Sequence, residues 1–145
     1  KLKGMLESKG YRVWRTREDD SHVSKEERVA SGDGSGADLL GSVHCYYAED
    51  DSTVSGVRVN YADGVKESKS LAENIDAALV KETGAKDQGS RSCDFSIVND
   101  TDMPAVLVEA GYLSNESEGS SLADDVYENS VAKGIAKGVL ATLNR

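Results

Sequence analysis

The sequence predicts a single α/β domain: a mostly parallel, twisted sheet with helices on both faces. Three observations lead there. Segments of strand character alternate with amphipathic helical ones, the pattern of an α/β sheet rather than of a bundle or sandwich. Residues 105–108 (AVLV) are apolar without interruption, as in a strand covered on both sides. The 145 residues suffice for one core and contain no linker, internal repeat or low-complexity tract.

Residues 1–10 (KLKGMLESKG) read as a helix with Leu2, Met5 and Leu6 on one face and Gly10 as its stop. Nothing in this stretch resembles an N-cap, so native sequence upstream of Lys1 is expected. Residues 11–16 (YRVWRT) alternate as a strand. Ser24 and Glu27 form an S-x-x-E capping box, opening a helix expected to reach about Ala30 before glycines 32, 34 and 36 dissolve it. Residues 39–47 (LLGSVHCYY) read as a second strongly buried strand, and 57–61 (VRVNY) as a half-exposed one. An amphipathic helix follows over about 67–82, with Leu71, Ile75, Ala78 and Leu79 on one face and Gly84 closing it. Residues 86–93 are expected to be polar loop and 95–98 (FSIV) a short strand. The strand from Ala105 ends at Glu109, with a turn at Gly111, and a serine- and acid-rich loop runs to Ser121. Val131, Ile135, Val139 and Leu143 space out a last helix over about 124–143.

The totals exclude several function classes. A net charge of −9 disfavours nucleic acid and anionic membrane surfaces as partners, since both reward Lys and Arg. No apolar run approaches the roughly 20 residues that span a bilayer. The two cysteines, Cys45 and Cys93, form no CxxC pair or disulfide framework and are expected to be small buried residues. The cluster Gly32-Asp33-Gly34-Ser35-Gly36 lacks dinucleotide-binding spacing and leads out of a helix, so a nucleotide-binding α/β protein is the weakest reading.

Chemistry is expected at the carboxyl ends of the strands, where open α/β sheets bind ligands. Glu109 falls there, as either a solvated strand end or a reactive carboxylate. His44, near the carboxyl end of its own strand, is either a satisfied core residue or a ligand. Two adjacent parallel strands ending in these residues would bring both into one crevice, where a neutral imidazole could bind zinc and a glutamate could take a proton from metal-bound water. Cys45 faces away from His44 if both lie in one strand. His22 sits in a polar loop and is expected to be exposed and inert.

These segments together resemble the zinc-dependent N-acetylmuramoyl-L-alanine amidases, bacterial enzymes that cut peptidoglycan between muramic acid and the first alanine of the stem peptide. Leu6 to Val13 followed by Thr16-Arg17 is similar to the family's "LxxxGxxVxxTR". Arg28, then Ala37-Asp38-Leu39 and Ser42-Val43-His44, resembles "R…ADLxxSIH", and Ser68 to Ala72 the following helix. Pro104 to Asn115 resembles "PAVLVExGFLSN" almost letter for letter, with Glu116 or Glu118 as a further acid.

The resemblance implies a zinc cofactor with His44 as its second histidine ligand, and Glu109 as the catalytic glutamate. It places the first zinc histidine, in a Gly-His-Gly-Gly turn, and a glutamate ligand upstream of Lys1. Residues 1–145 are therefore expected to be an amidase catalytic domain lacking its first strand and the start of its first helix. Peptidoglycan is the implied partner, with an activator protein as a further one, at an extracytoplasmic location. The competing expectation is an amidase-like domain that binds peptidoglycan or a protein without hydrolysing it.

Overall fold

The computed structural model describes residues 1–143. Among the described residues four strands, β1 (Leu40–Tyr46), β2 (Val57–Tyr61), β3 (Asp87–Ser92) and β4 (Ala105–Tyr112), form one sheet in the order β1-β4-β2-β3. β1 pairs with β4 and β2 with β3 in parallel, and β2 meets β4 antiparallel. The mostly parallel α/β domain is thus as the sequence predicts.

The helices are α1 (Leu2–Glu7), α2 (Lys25–Gly34), α3 (Lys66–Thr83), α4 (Ser96–Asn99), α5 (Glu116–Leu122) and α6 (Asp125–Leu143). The main core lies between the sheet and the α3/α6 layer, where Val57, Val59, Val106 and Val108 meet Leu71, Ile75, Leu79, Val131, Ile135 and Val139. Helices α3 and α6 approach closely because α6 offers glycines at the contact. A Cβ on Gly138 would lie 2.3 Å from Ile75 Cα, and one on Gly134 2.7 Å from Leu79 Cα. The opposite face carries a smaller cluster in which α4 packs Ile97 and Val98 against Ala62, Ala105 and Leu107.

Several elements depart from the sequence reading. Helix α2 has its capping box, Ser24 and Glu27 each bonding the other's backbone N–H, but it runs on to Gly34. Glycine is tolerated there because a larger residue at Gly32 would strike Leu40, its Cβ falling 2.6 Å from Leu40 Cδ1. Residues 11–16 form no strand. β1 is an edge strand in which only Ser42 is buried, so Cys45 is exposed rather than buried and Cys93 is half-buried. β2, expected to be half exposed, lies inside the sheet between β4 and β3. The segment read as polar loop is edge strand β3, its polarity being that of a solvated edge. Residues 95–98 are not a strand: one helical turn forms instead, with Val98 N–H and Asn99 N–H both donating to Phe95 O. The serine- and acid-rich stretch folds into α5, capped by Asn115, whose side chain accepts from Glu118 N–H at 3.1 Å.

Candidate active site

β4 does not end at Glu109 but continues to Tyr112. His44 on β1 stands directly opposite Glu109 on β4, and Arg58 on β2 is opposite Glu109 from the other side. Side chains alternate along a strand, so residues paired across the ladder share a face. Val106 and Val108 therefore enter the main core, while Leu107 and Glu109 face the thinly covered side with Ser42, His44, Arg58 and Asn60. Beyond this row the register slips by one residue. β4 bulges at Ala110 and Gly111, Gly111 having φ +145°, a backbone that side chains resist.

The bulge is held by Glu118. Its carboxylate accepts from Tyr112 N–H at 2.8 Å and Gly56 N–H at 2.6 Å, and it packs against Gly111, where a Cβ would lie 3.4 Å from Oε2. The second acid of the GYLSNESE stretch is thus a structural clamp that fixes the end of β4 and the entry to β2.

His44 and Glu109 line one cavity of about 410 Å³ together with Arg28, Tyr46, Phe95 and Leu107. The imidazole is exposed at the sheet edge, and its Nε2 lies 2.8 Å from Ser42 Oγ. Partial burial, with the nearby Arg28 and Arg17 charges, holds its pKa below the usual histidine value, so the ring is neutral near pH 7. If Nε2 carries the proton and donates to Ser42, Nδ1 keeps a free lone pair, the form that ligates a metal.

Glu109 is the opposite kind of group, a carboxyl only 3% exposed. Burial raises its pKa, while the Arg58 charge and the Asn60 side chain pull it back down. Arg58 Nη1 lies 3.9 Å from Glu109 Oε2, and the guanidinium is steadied by a 2.6 Å bond to Gln88 Oε1, which also accepts from Tyr112 Oη. Glu109 Oε2 and Asn60 Nδ2 are buried without a hydrogen bond of good geometry among the described residues. Such orphaned atoms mark a place prepared for a polar guest.

The sequence pointed to His44 and Glu109, and both occupy one cavity. His22 is exposed, as expected, and is not among the residues lining that cavity. Arg58, Asn60 and Gln88 were missed. Arg58 carried a faint signal, a cation alternating with valines in VRVNY, but its facing Glu109 depends on an antiparallel register that no local pattern encodes.

The profile of the N-acetylmuramoyl-L-alanine amidase family matches residues 1–141. The chain is 33% identical over 138 residues to the probable cell wall amidase LytH of Staphylococcus epidermidis, covering 95% of this chain and 45% of that protein. It therefore spans about half the length of the curated relatives it matches. Among solved structures it resembles the catalytic domain of CwlV, an N-acetylmuramoyl-L-alanine amidase from Bacillus (Paenibacillus) polymyxa var. colistinus, with TM-score 0.89 and 32% identity over 99% of this chain and 81% of that one. It also resembles the CwlD amidase of Clostridioides difficile, solved in complex with the GerS lipoprotein, with TM-score 0.92 and 28% identity over 99% and 81% of the two chains. With its fold, its motif order and the family profile in agreement over nearly all its length, this chain belongs to the N-acetylmuramoyl-L-alanine amidase family.

Proposed function

We propose that residues 1–145 are most of the catalytic domain of a peptidoglycan amidase that hydrolyses the amide between N-acetylmuramic acid and the L-alanine of the stem peptide. The observation that carries this reading is the His44–Glu109 pair, at matched positions of adjacent parallel strands and open to one cavity. A neutral imidazole and a buried carboxyl with opposed environments are the separation of roles that amide hydrolysis requires.

Members of this family are generally zinc-dependent. A catalytic zinc takes three protein ligands and keeps one position open. Among the described residues no group of three His, Cys, Asp or Glu is placed to hold a metal. The side chains present thus supply one ligand in this reading, His44, and not a whole site. Glu109 accepts a proton from the attacking water. With its raised pKa it retains that proton long enough to return it to the departing alanine nitrogen. Arg58 opposes the rise in pKa, so the carboxyl stays a competent base.

The remaining ligands are proposed to come with an additional strand. Among the described residues the outer edge of β1 is unpaired, and beside it lies a groove of about 400 Å³ lined by apolar side chains, among them Leu6, Val13, Leu40, Val43 and Val139. Residues 12–17 line the same groove, and 11–16 is the segment that was expected to be a strand. A strand seated there would pair with β1, cover Val43 and lie beside residues 12–16. It would also end beside His44.

Peptidoglycan is the proposed partner and the cell envelope, outside the cytoplasm, the proposed location. Among the described residues no helix is long and apolar enough to cross a membrane. An activating protein is a further proposed partner. The test is to digest purified peptidoglycan with the native enzyme and assay for stem peptides bearing a free N-terminal alanine. Their release is the expected result. Binding of muropeptides without such release would make the domain a binding module instead.

A further inference from the structure

The cavity that holds His44 and Glu109 has one cationic wall. Lys25 and Arg28, from the first turn of α2, line it together with the apolar side chains of Tyr46, Phe95 and Ile97. Among the described residues neither forms an ion pair with a carboxylate. Glu27, their neighbour on α2, is committed to the capping box through Ser24 N–H at 2.8 Å. Glu109 has Arg58 instead. Arg28 is also anchored, its Nε–H donating to Val23 O at 2.9 Å, which leaves the two terminal nitrogens as a fork for bidentate carboxylate binding. Arg28 lines the same cavity as His44 and Glu109, so the fork stands near the proposed reacting centre.

We propose that Arg28, assisted by Lys25, is a specificity residue that binds a carboxylate on the peptide side of the cleaved amide. This rests on the amidase reading above. The muramoyl side cannot supply the anion, because its lactyl carboxyl is consumed in the scissile amide. Alanine's own carboxyl is consumed in the next peptide bond. The first free carboxylate is therefore on the residue after alanine, a γ-linked glutamate whose α-carboxyl is either free or amidated. Arg28 selects the free acid, and amidation of that carboxyl weakens recognition.

The test uses two ligands, N-acetylmuramoyl-L-alanyl-γ-D-glutamyl-L-lysine and its counterpart with the glutamate α-carboxyl amidated. Calorimetric binding to the full chain is expected to favour the acid by about tenfold or more, the scale of a charge-assisted hydrogen-bond pair. Arg28→Gln should reduce the ratio to within about twofold while leaving affinity for the amide unchanged, and Arg28→Lys should retain part of it. Equal affinity for both ligands in the wild type, no binding of either, or a preference that survives Arg28→Gln would overturn the proposal. Should Arg28→Gln fail to fold by circular dichroism, Lys25→Gln and the salt dependence of the wild-type preference decide in its place. Hydrolysis of both compounds without preference refutes this site and leaves the amidase reading intact. Carboxylate-dependent binding without any hydrolysis does the reverse.

Discussion

Replacing Glu109 with glutamine separates the chemistry of this site from its architecture. The substitution keeps the volume of a side chain that is only 3% exposed and removes its charge. Little bonding is lost, since Oε2 has no hydrogen-bond partner among the described residues and Arg58 lies as far as 3.9 Å away. A proton-transferring side chain contributes about 10²- to 10⁴-fold in rate, or roughly 3–5.5 kcal/mol of barrier. Release of stem peptides bearing N-terminal alanine by the native enzyme should fall by that factor, with its metal content unchanged. Stability should move the other way. The Glu109 pKa is raised above 4.5, chiefly by burial, so its contribution to stability is full below pH 4.5 and is lost as pH rises through the folded pKa. Glutamine suffers no such loss. Urea midpoints should therefore coincide for the two proteins at acid pH, with the variant higher at neutral pH. Activity within about tenfold of wild type, or loss of metal along with activity, would refute the assignment of Glu109 as a proton carrier rather than a ligand.

Three further outcomes follow from the same geometry. Arg58→Met removes the cation that lowers the Glu109 pKa, so the acidic limb of the kcat/KM profile should shift to higher pH; an unmoved limb would detach Arg58 from Glu109. Asp76, 8% exposed on α3 and beside Asp87, has its pKa raised to about 6 by burial and then by the Asp87 charge. Its stability contribution is present below pH 3.8 and lost as pH rises through about 6. Asp76→Asn should therefore stabilise the protein at pH 7.5 by on the order of 1–3 kcal/mol, with no gain near pH 3.5, read from urea midpoints. Gly138→Ala gains about 1 kcal/mol in helix propensity, but its Cβ would lie 2.3 Å from Ile75 Cα. Overpacking of this kind costs about 1–3 kcal/mol. The midpoint should fall, whereas Gly4→Ala, with nothing within 4 Å, should raise it.

Much of this was legible from sequence because local signals and tertiary contacts agreed. Ala105, Val106 and Val108 of the AVLV run are buried, with Leu107 partly so toward the cavity, and the capping box at Ser24 forms as written. The failures have physical causes. β1 and β3 are edge strands, and composition cannot separate an edge from a loop, or an apolar interior strand from an apolar strand with an open side. α2 passes through its glycines because Leu40 needs the space at Gly32, a contact between distant elements. In the site, His44 and Glu109 could be paired in advance because both fell near the ends of strands that were expected to be parallel neighbours. Arg58 reaches Glu109 across an antiparallel register, and the Glu118 clamp depends on a bulge. Neither leaves a periodic trace in the sequence.

The central claim is that His44 and Glu109 serve one reacting centre. A double-mutant cycle on stem-peptide release by the native enzyme tests it most directly, comparing His44→Ala, Glu109→Gln and the pair. Residues that act as a unit are strongly non-additive, so the double variant should be no slower than the more damaged single one. Losses that multiply across the two sites would show that the residues act independently and contradict the account.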